Sequence, residues 1–281
     1  MTAPPLPSPD LMRTFDLSSP VFITETNIAR VWKTTRADGT FAALKIYKDE
    51  TMGNESAGLA YLTALGGVGA AEVYGHGPAA MVTEWLDGPS LGDLTRRGDD
   101  DQATAELVAV ANTIHGQRAG DTAALQPLDG WFDALFKLEF SAGLPSVSKR
   151  NMQRAQALAR RLLAEQTEIC ALHGDLHHDN IRRGVRGYCA FDAKGLVGDR
   201  AFEVANAFRN PNGAERLIRD PEMIRRRAAV WGDGLGASSR RLLEWAAAKT
   251  ALSISWRSGP LLDRDEDLDL LEVQLGVLDD G

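Results

Sequence analysis

The chain has 281 residues, enough for one large domain or two lobes with a substantial core. Its formal net charge of −8 argues against nucleic acid as a partner, because nucleic-acid binding needs a surplus of basic side chains. No apolar run reaches the ~18 residues of a membrane helix, and the start shows no signal-peptide pattern, so we expect a cytoplasmic protein without a membrane partner.

The first third of the chain reads as strands and one helix. Residues 1–10 are rich in proline, and we expect them to be mobile. Alternation of apolar and polar residues then predicts strands at residues 21–23, 30–35, 41–47, 72–75 and 81–85. Asp38-Gly39 is a hairpin turn signal between the second and third strands. A helix is predicted at residues 53–66, from leucines at helical spacing.

Lys45 lies in the middle of an apolar strand, on the opposite face from Ala42 and Leu44. A lysine there either pairs with an anion or lays its methylene groups against apolar neighbours while its ammonium reaches solvent. Glu55 begins the helix pattern on the same face as its leucines, which directs the carboxylate inward. A strand lysine paired with a helix glutamate is the arrangement with which protein kinases hold nucleotide phosphates.

After residue 86 the pattern changes. Glu84-Trp85-Leu86 is the predicted hinge, with the backbone of Glu84 and Leu86 facing an adenine ring, and Asp87-Gly88-Pro89 ends the strand. From Leu91 onward the chain is mainly helical. Apolar stripes run through residues 107–114 and 152–162, and later helices are predicted at residues 200–209, 221–232, 238–257 and 266–278. Cys170 and Cys189, on short strands, are expected to be reduced and buried.

The most informative segment is His173-Gly174-Asp175-Leu176-His177-His178-Asp179-Asn180, followed by a second short strand that ends at Asp192. Its spacing matches the needs of phosphoryl transfer from a nucleotide. Asp175 would orient a substrate hydroxyl and accept its proton. Asn180 and Asp192 would hold Mg²⁺ on the nucleotide phosphates, because this hard ion prefers oxygen ligands.

The segment has two other interpretations, a zinc site and a structural loop. His173 and His177 have the i, i+4 spacing of zinc-binding helices, but Gly174 favours a loop. A purely structural loop of Asx turns is also possible. We expect His173 to hold the loop by packing and hydrogen bonding, and His177 and His178 to be solvent-lined. Asp199 and Glu203 are expected to brace the loop through its backbone amides.

These residues carry a family resemblance. The chain resembles the aminoglycoside phosphotransferases, and within them the branch of streptomycin 6-phosphotransferases and hydroxyurea phosphotransferases. The matching stretches run in the expected order over about residues 20–211. They are Arg30-Val31-Trp32 with Arg36-Ala37-Asp38-Gly39, Ala43-Leu44-Lys45-Ile46-Tyr47, Glu84-Trp85-Leu86-Asp87-Gly88-Pro89-Ser90-Leu91, Leu172-His173-Gly174-Asp175-Leu176-His177-His178-Asp179-Asn180-Ile181, Lys194-Gly195-Leu196-Val197-Gly198-Asp199 and Ala205-Asn206-Ala207-Phe208-Arg209-Asn210-Pro211.

The resemblance implies an α+β, protein-kinase-like bilobal fold. An N-terminal lobe over residues 1–86 would have an antiparallel sheet plus one helix, and a mainly helical lobe would cover residues 87–281. ATP and Mg²⁺ would be the cofactors, and a cationic small molecule such as streptomycin the substrate. The chain departs from protein kinases in lacking a Gly-rich loop; Thr24–Ala29 stands there instead.

The sequence leaves the acceptor and the oligomeric state open. Hydroxyurea or an amino sugar would suit the same catalytic loop, and a catalytically silent nucleotide-binding module is the alternative outside enzymes. Guanidinium groups of a substrate would need carboxylates in the second lobe. The candidates are Asp133, Glu139, Glu203 and Glu244.

Overall fold

A five-stranded antiparallel sheet forms the N-terminal part of the computed structural model, which describes residues 4–117 and 122–280. Its spatial order is β1-β2-β3-β5-β4. The strands are β1 (Leu17–Glu25), β2 (Ala29–Arg36), β3 (Phe41–Tyr47), β4 (Val73–Gly77) and β5 (Ala80–Glu84). All five strands were predicted, with β3 at its observed bounds and β1 much shorter than observed.

The two faces of β3 enter different clusters, as its alternation predicts. Ala42 and Leu44 are fully buried beside Trp32 on one face. Tyr47 packs with Met81 in another cluster, on the face that carries Lys45. The sheet therefore presents the lysine toward the rest of the molecule and away from the N-terminal segment.

Two helices accompany the sheet. Helix α1 (Pro9–Thr14) begins with Ser8 as its N-cap, so the prediction of a mobile segment over residues 1–10 missed its start. Helix α2 (Ser56–Leu65) follows a 3₁₀ turn at Gly53–Glu55, close to the predicted helix at 53–66. Gly58 of α2 lies so close to the loop after Asp192 that a Cβ there would overlap the carbonyl of Ala193. The helix is therefore packed backbone to backbone against that loop.

Helices dominate the remainder of the described chain. They are α3 (Leu91–Arg96), α4 (Asp100–His115), α5 (Leu128–Trp131), α6 (Asp133–Phe136), α7 (Ser146–Ala164), α8 (Glu215–Ile218), α9 (Pro221–Leu235), α10 (Ser239–Ser258) and α11 (Leu268–Asp279). The predicted helix at 200–209 is present as a 3₁₀ helix, Arg200–Arg209. The predicted helices at 221–232, 238–257 and 266–278 match α9, α10 and α11.

Short strands carry the loops between these helices. Strands β8 (Ile169–Leu172), β11 (Leu196–Asp199) and β6 (Gln126–Pro127) form one small sheet, and β9 (Ile181–Gly184) pairs with β10 (Gly187–Ala190). A parallel pair joins β7 (Glu139–Phe140) to β12 (Leu261–Leu262). The segment between β8 and β9 holds Asp175 and Asn180, and the one between β10 and β11 holds Asp192. The division into lobes at residues 86 and 87 stays a prediction.

One buried ion pair anchors the helical part. Arg227 of α9 contacts Asp100 of α4, with Nη2 2.6 Å from Oδ1, and their side chains are 2% and 8% exposed. Arg227 also donates to the carbonyls of Ala207 and Asn210 at the end of the 3₁₀ helix. Burying this guanidinium is tolerable because carboxylate and carbonyl oxygens surround it.

Candidate active site

The loop that begins at His173 is shaped by its glycine. Gly174 has φ of +79°, and a Cβ there would lie 2.6 Å from Cγ of Leu196. Both the left-handed backbone and the close approach favour glycine. The turn places Asp175 just beyond strand β8.

Asp175 is held from two sides. Asn206 Nδ2 donates to its Oδ1 at 2.7 Å. Asn180 Nδ2 donates to the Asp175 carbonyl at 3.0 Å and approaches Oδ2 at 3.4 Å. Amide groups are neutral donors, so they fix the orientation of the carboxylate without placing a positive charge beside it. Asp175 is therefore a partly exposed, positioned acceptor, the form that a general base requires.

Glu203 braces this loop from within the core, as predicted. Its carboxylate accepts from the backbone amides of His173 at 3.0 Å and Gly174 at 3.1 Å, and lies 2.8 Å from His115 Nε2. Arg200 Nε donates to Nδ1 of His115, so Nε2 carries the hydrogen that reaches Glu203. Burial alone would raise the pKa of Glu203, but the hydrogen bond with His115 lowers it below its ordinary value.

Asp199 does not brace the catalytic loop, so that prediction is wrong. It accepts from the amides of Ala201 at 2.9 Å and Thr167 at 3.3 Å, and pairs with Arg241. Its side chain caps the start of the 3₁₀ helix at Arg200, because an Asp at that position satisfies an otherwise free amide.

The three histidines of the catalytic loop lie in different environments. His173 is fully buried; it accepts from the Asp175 amide through Nδ1 and donates through Nε2 to the Phe191 carbonyl, 3.0 Å away. Burial lowers its pKa, and its role is to hold the loop, as predicted. His177 is partly buried, and its Nδ1 accepts from the Asp179 amide. His178 is fully buried beside Trp231, with its ring 6.0 Å from the indole, so the prediction of a solvent-lined residue is wrong for it.

Lys45, Glu55, Lys194 and Asp192 form a compact set of alternating charges. Lys45 Nζ lies 2.6 Å from Oδ1 of Asp192 and 3.1 Å from Oε2 of Glu55. Lys194 Nζ lies 2.8 Å from the other oxygen of Glu55. Burial opposes the charged form of Lys45, but Asp192 and Glu55 outweigh it and raise its pKa. The sequence-predicted pair of Lys45 and Glu55 is in contact, and Lys194 joins it.

Asp192 and Asn180 could hold a divalent metal ion. Burial alone would raise the pKa of Asp192, but Lys45 and Lys194 lower it to about 2, so it is ionised at neutral pH. Asn180 uses its amide nitrogen on Asp175, which leaves its oxygen for a metal. In residues 4–117 and 122–280, no three His, Cys, Asp or Glu side chains group as a metal site. Two oxygen ligands plus phosphate oxygens and water suit Mg²⁺.

The predicted hinge is tied down on both sides. Glu84 directs its side chain to Arg186, and Leu86 is buried beside Cys189, so both keep only their backbone for a nucleotide. The Gly88 amide donates to the Arg183 carbonyl at 2.8 Å. The β1–β2 turn is shaped by Thr26, whose hydroxyl accepts from the amides of Ile28 and Ala29.

Three residues near Asp175 were given no role by the sequence. They are Lys194, Asn206 and Lys249. Lys194 follows Asp192 by two positions, so its closeness to that carboxylate could be seen in the sequence. Lys249 lies in the middle of α10 among buried alanines and leucines, which is the signal that could have identified it. Asn206 lies in one of the stretches that carry the family resemblance, but its local pattern assigned no role to its amide.

Within the described part of the chain, no helix has both the length and the apolar character needed to cross a bilayer. Cys170 and Cys189 are both free; Cys189 is buried, while Cys170 is only partly so.

Comparisons with known proteins agree with the geometry. Residues 14–259 match the family described as "Aminoglycoside/hydroxyurea antibiotic resistance kinase". A relative, the Streptomycin 3''-kinase of Klebsiella pneumoniae, is 37% identical over 213 residues, covering 73% of this chain and 77% of the relative.

Solved structures with the same fold are more distant in sequence. Choline kinase LicA from Streptococcus pneumoniae superposes with a TM-score of 0.63 at 12% identity, covering 97% of each chain. A thermostable mutant of aminoglycoside phosphotransferase APH(4)-Ia, in a ternary complex with ADP and hygromycin B, gives 0.62 at 12% identity, again over 97% of each chain. The α+β, kinase-like fold with an N-terminal antiparallel sheet and a helical C-terminal region is confirmed.

Proposed function

The chain belongs to the aminoglycoside/hydroxyurea antibiotic resistance kinase family and is a small-molecule phosphotransferase, and we propose that it transfers the γ-phosphoryl group of ATP to a hydroxyl of streptomycin or a closely related aminoglycoside. The observation that carries the proposal is the Asp175 carboxylate held by Asn206, on a loop that is joined to the Lys45–Asp192 pair through Asn180, which contacts both Asp175 and the backbone of Phe191. The choice of streptomycin rests on the 37% identity to a kinase of that antibiotic.

In the proposed reaction Asp175 orients the acceptor hydroxyl and takes its proton. The oxygen then attacks the γ-phosphorus, and the bond from phosphorus to the bridging oxygen of ADP breaks. Transition states of this kind are loose, so positioning and charge neutralisation supply most of the catalysis. Asn206 and Asn180 contribute by keeping the Asp175 carboxylate in one orientation.

The nucleotide would lie between the sheet and the loop that follows β10. Lys45, held by Glu55, would contact its phosphates, and the backbone of Glu84 and Leu86 would face the adenine. Mg²⁺, held by Asn180 and Asp192, would neutralise charge on the phosphates when bound. Lys45 Nζ already lies 2.6 Å from Asp192. When a nucleotide binds, the ammonium would therefore contact both that carboxylate and a phosphate.

Of the four carboxylates that the sequence offers for binding the acceptor, the structure leaves two available. Glu203 is saturated by backbone amides and His115, and Glu244 is buried and paired with Arg161, so neither is free for a substrate. Asp133 and Glu139 are exposed, which leaves them as candidates.

An exposed tryptophan adds to that surface. Trp256 is 44% exposed, and its ring lies 5.3 Å from that of Trp131. The Lys249 ammonium is 4.9 Å from the Trp256 ring. Lys249 and Trp256 belong to α10, which packs along the 3₁₀ helix whose Asn206 donates to Asp175, and this supports a role for the aromatic pair in acceptor binding. Guanidinium groups stack on aromatic faces, so such a surface suits streptomycin.

A single set of assays tests the proposal. Purified protein is incubated with Mg-ATP and one acceptor at a time: streptomycin, hydroxyurea, or an amino sugar. We expect ADP release above background with streptomycin, and NMR of the product identifies the phosphorylated hydroxyl. Expression in a sensitive bacterium should raise tolerance to streptomycin, while the Asp175→Asn variant should not.

The alternatives give different results. Turnover with hydroxyurea or an amino sugar alone would replace the streptomycin assignment and keep the catalytic one. Nucleotide binding without turnover on any acceptor would leave the silent binding module. A cytoplasmic location is part of the proposal, because ATP is available there and the two cysteines are unpaired.

A further inference from the structure

Lys249 has an unusual environment for a lysine. It lies in the middle of α10, is 3% exposed, and donates to Ser253 Oγ at 2.8 Å. The face of Trp256 lies 4.9 Å from its nitrogen. Among the described residues no carboxylate approaches it within ion-pair distance. An ammonium has three N–H groups, so a buried one with a single hydroxyl partner has donors to spare.

The charges around Lys249 favour an incoming anion. Burial lowers the pKa of Lys249 to about 7, Asp175 raises it, and Arg209, Arg257 and Lys194 lower it further. Both arginines already have carboxylate partners. Arg209 pairs with Asp267 at 2.6 Å, and Arg257 pairs with Asp265 and Asp267. Asp175, the proposed base, is the carboxylate whose charge raises the pKa of Lys249. The fold agrees with this, because α10 packs along the 3₁₀ helix Arg200–Arg209, whose Asn206 donates to Asp175.

We propose that Lys249 binds the phosphoryl group as it passes from nucleotide to acceptor. This inference rests on the proposed function and adds to it a catalytic residue on α10. The acceptor oxygen lies between Asp175 and the γ-phosphorus during attack, so a cation beside Asp175 is beside the non-bridging phosphoryl oxygens as well. A positioned N–H donor in a water-poor site stabilises the charge that develops on such oxygens.

Lys249 takes part in the transfer only as a hydrogen-bond donor, so the bonds made and broken are those of the proposed reaction. A bond forms between the acceptor oxygen and phosphorus, and the bond from phosphorus to the ADP oxygen breaks, with its electron pair leaving on ADP. The acceptor proton goes to Asp175. Lys249 donates a hydrogen bond to a non-bridging oxygen and transfers no proton. Ser253 and Trp256 contact the ammonium and hold it in place.

The test replaces the ammonium by a side chain of similar length. Lys249→Met should fold, because its surroundings are apolar, and thermal denaturation checks this. We expect kcat with the accepted substrate to fall about 10²- to 10³-fold, as for loss of one donor to a transition-state oxygen. The acceptor KM should stay within about threefold. Lys249→Gln, which keeps a donor without a charge, should recover part of the rate.

A binding measurement separates this role from structural support. ADP affinity of Lys249→Met should equal that of the parent, because ADP lacks the γ-phosphoryl group. Affinity for ADP with aluminium fluoride, which mimics the transferring group, should fall at least tenfold. Lys149→Met, a lysine change at an exposed position, should alter neither affinity. Ser253→Ala keeps the ammonium and should lose far less affinity for ADP with aluminium fluoride than Lys249→Met.

Failure of this inference differs from failure of the proposed function. If the parent phosphorylates no acceptor, the proposed function fails, and the aluminium fluoride measurement still decides the role of Lys249. If Lys249→Met binds ADP with aluminium fluoride as tightly as the parent does, the inference is overturned. An increase in acceptor KM with unchanged kcat would also overturn it, because the lysine would then bind the acceptor and not the phosphoryl group.

Discussion

Lys249 should make the unliganded protein less stable at neutral pH than an uncharged side chain would. Its pKa falls from 10.5 to about 7 on folding, chiefly because burial penalises the charged form. Between these two values the unfolded chain binds more protons than the folded one, so stability rises with pH across that window. Below pH 7 both states are protonated and the full cost is present.

The size of the effect follows from the shift. A difference of 3.5 pKa units, from 10.5 to about 7, corresponds to about 5 kcal/mol at the most. At pH 7 about 4 kcal/mol of that cost remains, and at pH 9 about 2 kcal/mol remains. Lys249→Met removes the titrating group, and it also loses the hydrogen bond to Ser253, at about 1 kcal/mol.

Urea denaturation of the parent and of Lys249→Met, at pH 7 and pH 9 without nucleotide or phosphate, measures this. The variant should be the more stable at pH 7, and its advantage should shrink by about 2 kcal/mol at pH 9. The change in advantage is informative because pH-independent packing effects cancel from it. Parallel stabilities of the two proteins between pH 7 and pH 9 would refute the reasoning.

Three further outcomes are expected. Asp175→Asn should lower kcat by roughly 10²- to 10⁴-fold with nucleotide affinity almost unchanged, and undiminished turnover by the folded variant would remove Asp175 from the base role. Asp192→Ala should abolish Mg²⁺-dependent ATP binding in calorimetry, because one neutral amide oxygen would be left to hold the ion; equal affinity would place the metal elsewhere. Glu203→Ala should cost about 2–6 kcal/mol in urea denaturation, because the buried amides of His173 and Gly174 lose their acceptor at about 1–3 kcal/mol each. A loss below 1 kcal/mol would show that water or another group replaces the carboxylate.

Much of the nucleotide side was accessible from the sequence because it depends on local patterns. The alternation around Lys45 decides which face the lysine occupies, and the leucine spacing after Glu55 decides the orientation of that carboxylate. A charged side chain that faces an apolar interior needs an opposite charge beside it, so the sequence predicts that Lys45 and Glu55 pair. The contact of 3.1 Å between them agrees with it.

The surroundings of Asp175 were less accessible because they depend on long-range packing. Asn206 comes 31 positions later, and nothing local directs its amide to that carboxylate. Lys249 could have been identified by the reasoning used for Lys45, since it too is a lone charge in an apolar element. His178 was misjudged because a polar loop residue is usually exposed, and only the packing of Trp231 against it reveals its burial.

The contact between Gly58 and Ala193 bears on whether the enzyme can be switched off. Many kinases are regulated by swinging the helix that carries the glutamate away from the lysine. Here Glu55, in the 3₁₀ turn just before α2, pairs with Lys45 and Lys194, and Gly58 of α2 packs against the backbone of the loop after Asp192. An outward movement of α2 would break the ion pairs of Glu55 with Lys45 and Lys194, and it would also separate Gly58 from Ala193. Control by helix displacement is therefore costly for this chain, and cellular activity should follow the amount of protein and the supply of acceptor.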